Sequence, residues 1–277
     1  MDGRGLRDEI IAGLRATLAG LGHPPVCLAT VVVGEDRAAR ANAQAKHRAA
    51  AAAGIRWRHT PLGSATTEGE LRGVVRGLVA DPAVHGVFVQ LPLPIGLPED
   101  AILDEVPPAK DVDGLSAASI ARLVLDRGGH APCTAEAVLR LLGRYEVGLS
   151  GRRAVVVGRS ARLAVPLALM LGRAGCGAVT LVDPEAPDLA DVCRGADVVV
   201  AAADRPHLIG AEHLRPGAAV VDAGVTRRAS GVVGDVDVER VRGVAGRVAP
   251  MPGGVGPVTV ACLLEHTLAA ARHLGAC

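Results

Sequence analysis

Gly158, Arg159 and Ser160 follow the apolar run 154–157 and open a stretch of helix-forming residues. A glycine at the end of a strand lets the chain turn tightly. The helix that follows then offers N–H groups and the positive end of its dipole to a pyrophosphate. Asp183 ends the next apolar run, where a carboxylate commonly binds the ribose hydroxyls of a dinucleotide. The same carboxylate would repel a 2′-phosphate, so it favours NAD over NADP. Arg159 could still hold a phosphate, which leaves NADP open. The full Gly-x-Gly-x-x-Gly fingerprint is absent, because Ser160 stands at its second glycine. Each feature also has a plain structural counterpart: Ser160 as a helix N-cap, and Asp183 as the first residue of a turn into Pro184.

The elements that must position these residues alternate between helix and strand. Ile10, Ile11, Leu14, Leu18 and Leu21 recur at helical spacing. Residues 26–33 read as a buried strand ended by Gly34, residues 36–53 as an Ala-rich helix, 68–78 as a helix and 86–91 as a strand. The segment 91–114, rich in Pro and acids, reads as an ordered functional loop with a short helix. Further on, strands are expected at 154–157, 178–183, 197–202 and 218–222. Helices are expected at 160–174 and 188–195, and a closing helix at 257–274 carries Pro257 in its first turn. This alternation implies an α/β fold of mostly parallel sheets covered on both faces.

Composition narrows the function. A chain of 277 residues is long enough for two domains. Aromatic residues make up only 1%, which argues against a base-stacking nucleic-acid surface. The net charge of +1, with both signs interspersed, argues against a broad contact with nucleic acid or an anionic membrane. No apolar run approaches the roughly 18 residues of a membrane span, and the charged first residues lack the apolar stretch of a signal peptide. A cytoplasmic protein is therefore expected. The six cysteines form no C-x-x-C pair and read as reduced, buried thiols. The nine histidines show no ligand spacing, so no metal site is expected.

Six stretches stand in order along the chain: Val89-Gln90-Leu91-Pro92-Leu93-Pro94, Pro108-Ala109-Lys110-Asp111-Val112-Asp113-Gly114, Pro132-Cys133-Thr134, Val157-Gly158-Arg159-Ser160, Gly234-Asp235-Val236, and Pro252-Gly253-Gly254-Val255-Gly256-Pro257-Val258-Thr259. Together they resemble the bifunctional methylenetetrahydrofolate dehydrogenase/methenyltetrahydrofolate cyclohydrolases, from about residue 25 to the C-terminus. The resemblance implies an N-terminal folate-binding catalytic domain (1–118, joined by the helix 257–277) and a Rossmann-like NAD(P)-binding domain (119–256). It implies a homodimer, with folate between the domains. It also implies hydride transfer from 5,10-methylenetetrahydrofolate to a nicotinamide, then hydrolysis of the methenyl product to 10-formyltetrahydrofolate.

On the same resemblance, Lys46 takes the place of the active-site lysine. A lysine with its pKa lowered by partial desolvation can shuttle a proton during water attack. Gln90 matches the glutamine that holds that lysine, and Asp113 the aspartate that binds the pterin. A carboxylate suits the latter because it accepts two hydrogen bonds from an amino-pyrimidinone edge. Substrate contacts are implied for Asn42, Leu91, Pro92, Gly253, Gly254 and Pro257. The glycines there allow close approach of main chain to a ligand. Cofactor contacts are implied for Gly158, Arg159, Ser160, Asp183, Ala202 and Thr226. The bland counterparts are an exposed helix lysine, a polar strand end, a turn aspartate before Gly114 and a connecting loop.

The chain departs from the family pattern in places. Asn42 stands where the family has a tyrosine, and Ala39 where it has a serine. An aromatic face lost here is worth about 0.5–1.5 kcal/mol. Hydride transfer rests mostly on holding donor and acceptor together. A dehydrogenase with weakened or absent cyclohydrolase activity is therefore expected. Val182-Asp183, Ala164 and Asp204 replace family residues on the nucleotide side, and the two acids add to the NAD reading or else mean poor cofactor binding. A repurposed folate- or nucleotide-binding paralogue, and the same chemistry on a related one-carbon substrate, remain the alternatives. A generic hydroxy- or amino-acid dehydrogenase leaves the segments 90–94 and 252–257 without a task.

Overall fold

The computed structural model describes all residues except Glu35, Asp36, Ala229 and Ser230, and only the backbone of residues 37–42. The chain forms two compact units, one of Asp8–Cys133 with Val260–Cys277, the other of Met1–Arg7 with Thr134–Thr259.

The first unit holds most of α1 (Gly3–Gly20), then β1 (Cys27–Val33), α2 (Arg37–Ala53), β2 (Arg56–Leu62), α3 (Glu68–Ala80), β3 (Gly86–Val89), α4 (Glu99–Leu103) and α5 (Ala117–Val124). Its strands are parallel in the order β2-β1-β3. The central strand β1 is a run of apolar and β-branched residues and is buried at every position, as a strand covered on both faces must be. The edge strand β2 is largely exposed and tolerates Pro61, which would interrupt a central strand. A capping box between Thr67 and Glu70 starts α3, and Leu71, Val75 and Leu78 bury its apolar stripe against the sheet.

The second unit continues with α6 (Cys133–Arg144), β4 (Arg153–Val157), α7 (Ala164–Arg173), β5 (Ala178–Val182), α8 (Leu189–Arg194), β6 (Val198–Ala201), β7 (Ala219–Asp222), β8 (Thr226–Arg228), β9 (Gly231–Val233), α9 (Val238–Val241) and β10 (Arg247–Ala249), and α10 (Val255–His273) closes the chain. Five parallel strands stand in the order β10-β7-β6-β4-β5, and β8 and β9 form a separate antiparallel hairpin. Both sheets therefore reverse direction beside their first strand, between β1 and β3 and between β4 and β6. In open parallel sheets, ligands bind beyond the carboxyl ends of the strands at that reversal.

The α/β architecture with two parallel sheets is as the sequence implied. The details differ in three respects. The helix expected from residue 160 begins at Ala164, because residues 160–163 form a turn. Strand β2, helices α5 and α6 and the β8–β9 hairpin were not anticipated. Residues 119–133 pack with the first unit, where Cys133 N donates to the Asp113 carbonyl (3.1 Å). Met1–Arg7 pack with the second, where Asp2 N donates to Tyr145 Oη (2.8 Å) and Gly3 N to the Gly253 carbonyl (2.8 Å).

Candidate active site

The first cluster lies at the carboxyl end of the smaller sheet. On α2, Ala43, Lys46, Ala50 and Ala53 share one buried face, so the lysine points inward from a stripe of alanines. Lys46 is 6% exposed. Its Nζ donates to Gln90 Oε1 at 3.0 Å, and Gln90 Nε2 donates to the Leu91 carbonyl at 2.7 Å. The second bond fixes which way the amide faces and so keeps its oxygen toward the ammonium. Gln90 itself stays in register, because its N–H donates to the Val31 carbonyl at 2.9 Å. Phe88, two residues earlier on the same strand face, lies under the ammonium at 4.6 Å from its ring centroid. Burial lowers the Lys46 pKa to about 8, against the opposing pull of Asp113 and Cys133.

Asp113 follows a turn built by Asp111, whose carboxylate accepts from Gly114 N (3.0 Å) and Ser116 N (2.8 Å). Gly114 has φ +72°, and a Cβ there would lie 2.6 Å from the Ala131 backbone, so the turn requires glycine. Asp113 is half-buried. Burial first, then the nearby Asp111 carboxylate, raises its pKa to about 6. Lys46, a hydrogen bond from Cys133 and the proximity of His266 oppose that rise. Lys46, Gln90 and Asp113 are thus one electrostatic group. Leu91 and Pro92 continue directly from it, joined by a cis peptide bond. The side chain of Asn42 lies outside the described residues, as does that of Ala39.

The second cluster lies where β4 and β6 diverge. Gly158 has φ +149°, and a Cβ there would stand 2.3 Å from the Ala202 carbonyl oxygen. Glycine is therefore needed to bring these two strand ends together. Leu163, the N-cap of α7, makes no side-chain capping bond. Ser160 does not cap that helix; its Oγ accepts from Arg162 N at 3.3 Å within the preceding turn. Arg159 pairs with Asp183 at 2.8 Å, their side chains 71% and 36% exposed. Asp183 also accepts from Glu185 N at 2.8 Å, so it serves the turn and faces the strand end at once.

Asp204 has φ +53°, the left-handed region where glycine would be unstrained. Its carboxylate accepts from Val225 N (2.8 Å), and its carbonyl from Thr226 Oγ1 (3.0 Å). Beneath it Asp235 accepts from the N–H groups of Ala203 (2.6 Å), Asp204 (3.1 Å) and Arg205 (2.7 Å). Asp222 in turn accepts from the N–H groups of Gly224 (3.2 Å), Asp235 (3.0 Å) and Val236 (3.0 Å). Burial pushes Asp222 up to about 7. Gly254, whose Cβ would meet the Pro250 carbonyl at 2.7 Å, and Gly253 (φ +107°) form the turn before α10, and Pro257 lies in that helix's first turn.

A glycine cradle, an uncapped helix start and a carboxylate at the adjacent strand end suit a dinucleotide at this edge. Sequence reasoning missed Phe88, Cys133, His266, Asp222 and the role of Asp235. Of these, Phe88 had a signal, since strand alternation places it on the same face as Gln90, and Cys133 and Asp235 stood in the stretches 132–134 and 234–236 without a role assigned to them.

Two family models match this chain: tetrahydrofolate dehydrogenase/cyclohydrolase, catalytic domain, over residues 1–113, and tetrahydrofolate dehydrogenase/cyclohydrolase, NAD(P)-binding domain, over residues 132–274. Bifunctional protein FolD 2 of Frankia alni is 44% identical over 268 residues, covering 96% of this chain and 92% of its own. The bifunctional enzyme FolD of Campylobacter jejuni, a methylenetetrahydrofolate dehydrogenase/cyclohydrolase, superposes with a TM-score of 0.92 at 36% identity, covering 98% of each chain. The Trypanosoma brucei methylenetetrahydrofolate dehydrogenase-cyclohydrolase, solved with NADP and an inhibitor, superposes with a TM-score of 0.93 at 35% identity, covering 99% of this chain and 97% of its own.

Proposed function

The chain belongs to the tetrahydrofolate dehydrogenase/cyclohydrolase family, and from that premise we propose that it oxidises 5,10-methylenetetrahydrofolate to the methenyl form and hydrolyses this to 10-formyltetrahydrofolate, the second step weakened. The observation that carries the reading is the buried Lys46, bonded to Gln90 within the field of Asp113. A bound NAD or NADP supplies the hydride acceptor. Gly158, Arg159, Ser160, Asp183, Ala202 and Thr226 would hold it.

Asp113 binds the pterin edge, and Leu91 and Pro92 line the same site. Lys46, with its pKa near 8, is populated in both protonation states at neutral pH. As the amine it takes a proton from the water attacking the methenyl carbon. As the ammonium it returns that proton to the nitrogen that leaves. Asn42 offers no aromatic face to hold folate and lysine in register, which is why the hydrolytic step suffers more than hydride transfer. NAD is the preferred cofactor: Arg159, the cation suited to a 2′-phosphate, is already engaged by Asp183. The six free thiols accord with a cytoplasmic enzyme, and we assign it a homodimer, to be checked by sedimentation.

The test is to incubate purified protein with 5,10-methylenetetrahydrofolate and NAD or NADP, follow reduced nicotinamide, and separate methenyl from 10-formyl product. Turnover with NAD and accumulation of methenyl product is the expected result. Rapid 10-formyl formation would show that Lys46 works without the tyrosine. No turnover with either cofactor would refute the assignment in favour of a repurposed paralogue.

A further inference from the structure

The thiol of Cys133 stands at a junction. Its Sγ donates to the Val112 carbonyl oxygen at 3.1 Å and lies 3.5 Å from His266 Nδ1, and the Asp113 carboxylate is a second acceptor within its reach. His266 comes from α10 and is 8% exposed. Its Nδ1 lies 2.9 Å from the same Val112 carbonyl. A carbonyl oxygen only accepts, so the proton of that contact belongs to Nδ1. The thiol has a single proton, which the Val112 carbonyl and the Asp113 carboxylate share as acceptors. The imidazole N–H occupies one lone pair of that carbonyl and makes it a poorer acceptor for the thiol, which shifts the share toward Asp113. With the imidazole removed, the carbonyl takes more of it. The ring is held from its other side by His130, stacked at 4.6 Å between centroids.

We propose that His266 is a positioning residue for folate recognition: it holds the Val112 carbonyl, directs the Cys133 thiol onto Asp113, and so sets the carboxylate that meets the pterin. Neither His266 nor Cys133 touches the substrate in this arrangement; both act through Asp113. The proposal rests on the reading of Asp113 as the pterin-binding group. It also explains why a thiol and an imidazole lie buried beside a carboxylate from three different segments of the chain, with no covalent chemistry assigned to them.

The experiment compares D113N, H266A, H266N, C133A, C133S and C133A/H266A by steady-state kinetics. Methylenetetrahydrofolate is varied at saturating NAD or NADP, then the nucleotide is varied, and each variant's thermal midpoint is recorded. D113N should raise the folate KM at least about ten-fold. H266A and C133A should each raise it about five-fold, with the nucleotide KM unmoved. H266N, whose amide nitrogen can take the place of Nδ1, and C133S, which keeps an O–H donor, should each restore it to within about two-fold. The double variant should be no worse than either single one, since both break the same relay. The proposal is overturned if D113N raises the folate KM while H266A or C133A does not, or if the two effects simply add. It is also overturned if neither conservative variant rescues, which would mark a packing role. If D113N itself leaves the folate KM unchanged, the reading of Asp113 is what fails. Should H266A not fold, the pair C133A and C133S decides the matter on the same criteria.

Discussion

A lysine on a helix of alanines is an unremarkable residue until its surroundings are known. Lys46 is buried beside an amide oxygen and an aromatic face, and the loss of water brings its pKa to about 8. If the amine form takes a proton in the hydrolytic step, methenyl hydrolysis above the uncatalysed rate should climb through about pH 8 and then level off. A rate that stays flat from pH 6 to 9 would contradict that role. Lys46→Arg keeps the charge but cannot release a proton near neutrality. It should lower the hydrolytic rate about 100-fold or more, and hydride transfer by less. Gly158 is constrained differently, by space. A methyl group there would meet the Ala202 carbonyl at 2.3 Å, with backbone on both sides. Gly158→Ala should destabilise by about 2–4 kcal/mol and weaken nucleotide binding, measured by denaturant titration and by the nucleotide KM. Wild-type-like values for both would refute the close approach.

At the scale of elements, the nucleotide edge depends on a loop that holds no regular structure of its own. Three consecutive N–H groups, from Ala203 to Arg205, point at one carboxylate, Asp235. An Asn there has one accepting oxygen and turns an NH2 group toward the remaining donors. Asp235→Asn should therefore cost about 1–3 kcal/mol locally. The expected readouts are faster amide exchange at residues 203–205 and a higher nucleotide KM, with the folate KM preserved. Unchanged exchange in that loop would sink the idea. Strands such as β1, β4 and β6 were legible in the sequence because a strand covered on both faces must be apolar throughout. Strand β2 was not: at a sheet edge its Arg and His residues and Pro61 are exposed, and it resembles a loop. The start of α7 was displaced by the turn around Ser160, which helix propensity cannot register. The inward face of Lys46 was hidden for a related reason: when nearly every neighbour is alanine, helical periodicity offers no stripe to distinguish inside from outside. Asp204 was legible as a departure from glycine, and its positive φ shows what that departure had to accommodate. The buried carboxylate at 222 carried no signal, since its partners are backbone N–H groups, and Asp235, though part of the stretch 234–236, gave no hint of the loop it holds.

Across the whole molecule the carboxylates divide into two populations with opposite effects on stability. Glu105 is held at about 2 by Arg76 and Arg72, and Asp81 and Asp197 are also lowered, each by a backbone N–H first and arginine partners after it. Such groups stabilise the fold above their ordinary pKa, and that contribution is lost as the pH falls through the depressed value. Asp113, Asp222 and Asp235 are raised, chiefly by burial. Between its ordinary value and about 6, the folded chain binds more protons at Asp113 than the unfolded chain does, so this contribution to stability falls as the pH rises through that window. Lys46 has the complementary sign. From about 8 up to its ordinary value the unfolded chain holds the extra proton, so stability rises with pH there. The ionisable groups of the candidate site thus contribute least near neutrality, where the chemistry requires their charge, a cost often seen where function needs a buried charge. Asp113→Asn removes the titration while nearly preserving the shape. The thermal midpoint of D113N relative to the parent should therefore rise steadily from pH 4 to pH 7, by the equivalent of about 1–3 kcal/mol. Folate turnover by the parent should rise over the same range as Asp113 ionises, and D113N should lack that rise. A midpoint difference that does not change with pH would mean that Asp113 titrates in the folded chain as it does in the unfolded one, and the electrostatic coupling inferred among Asp113, Asp111 and Lys46 would then be wrong.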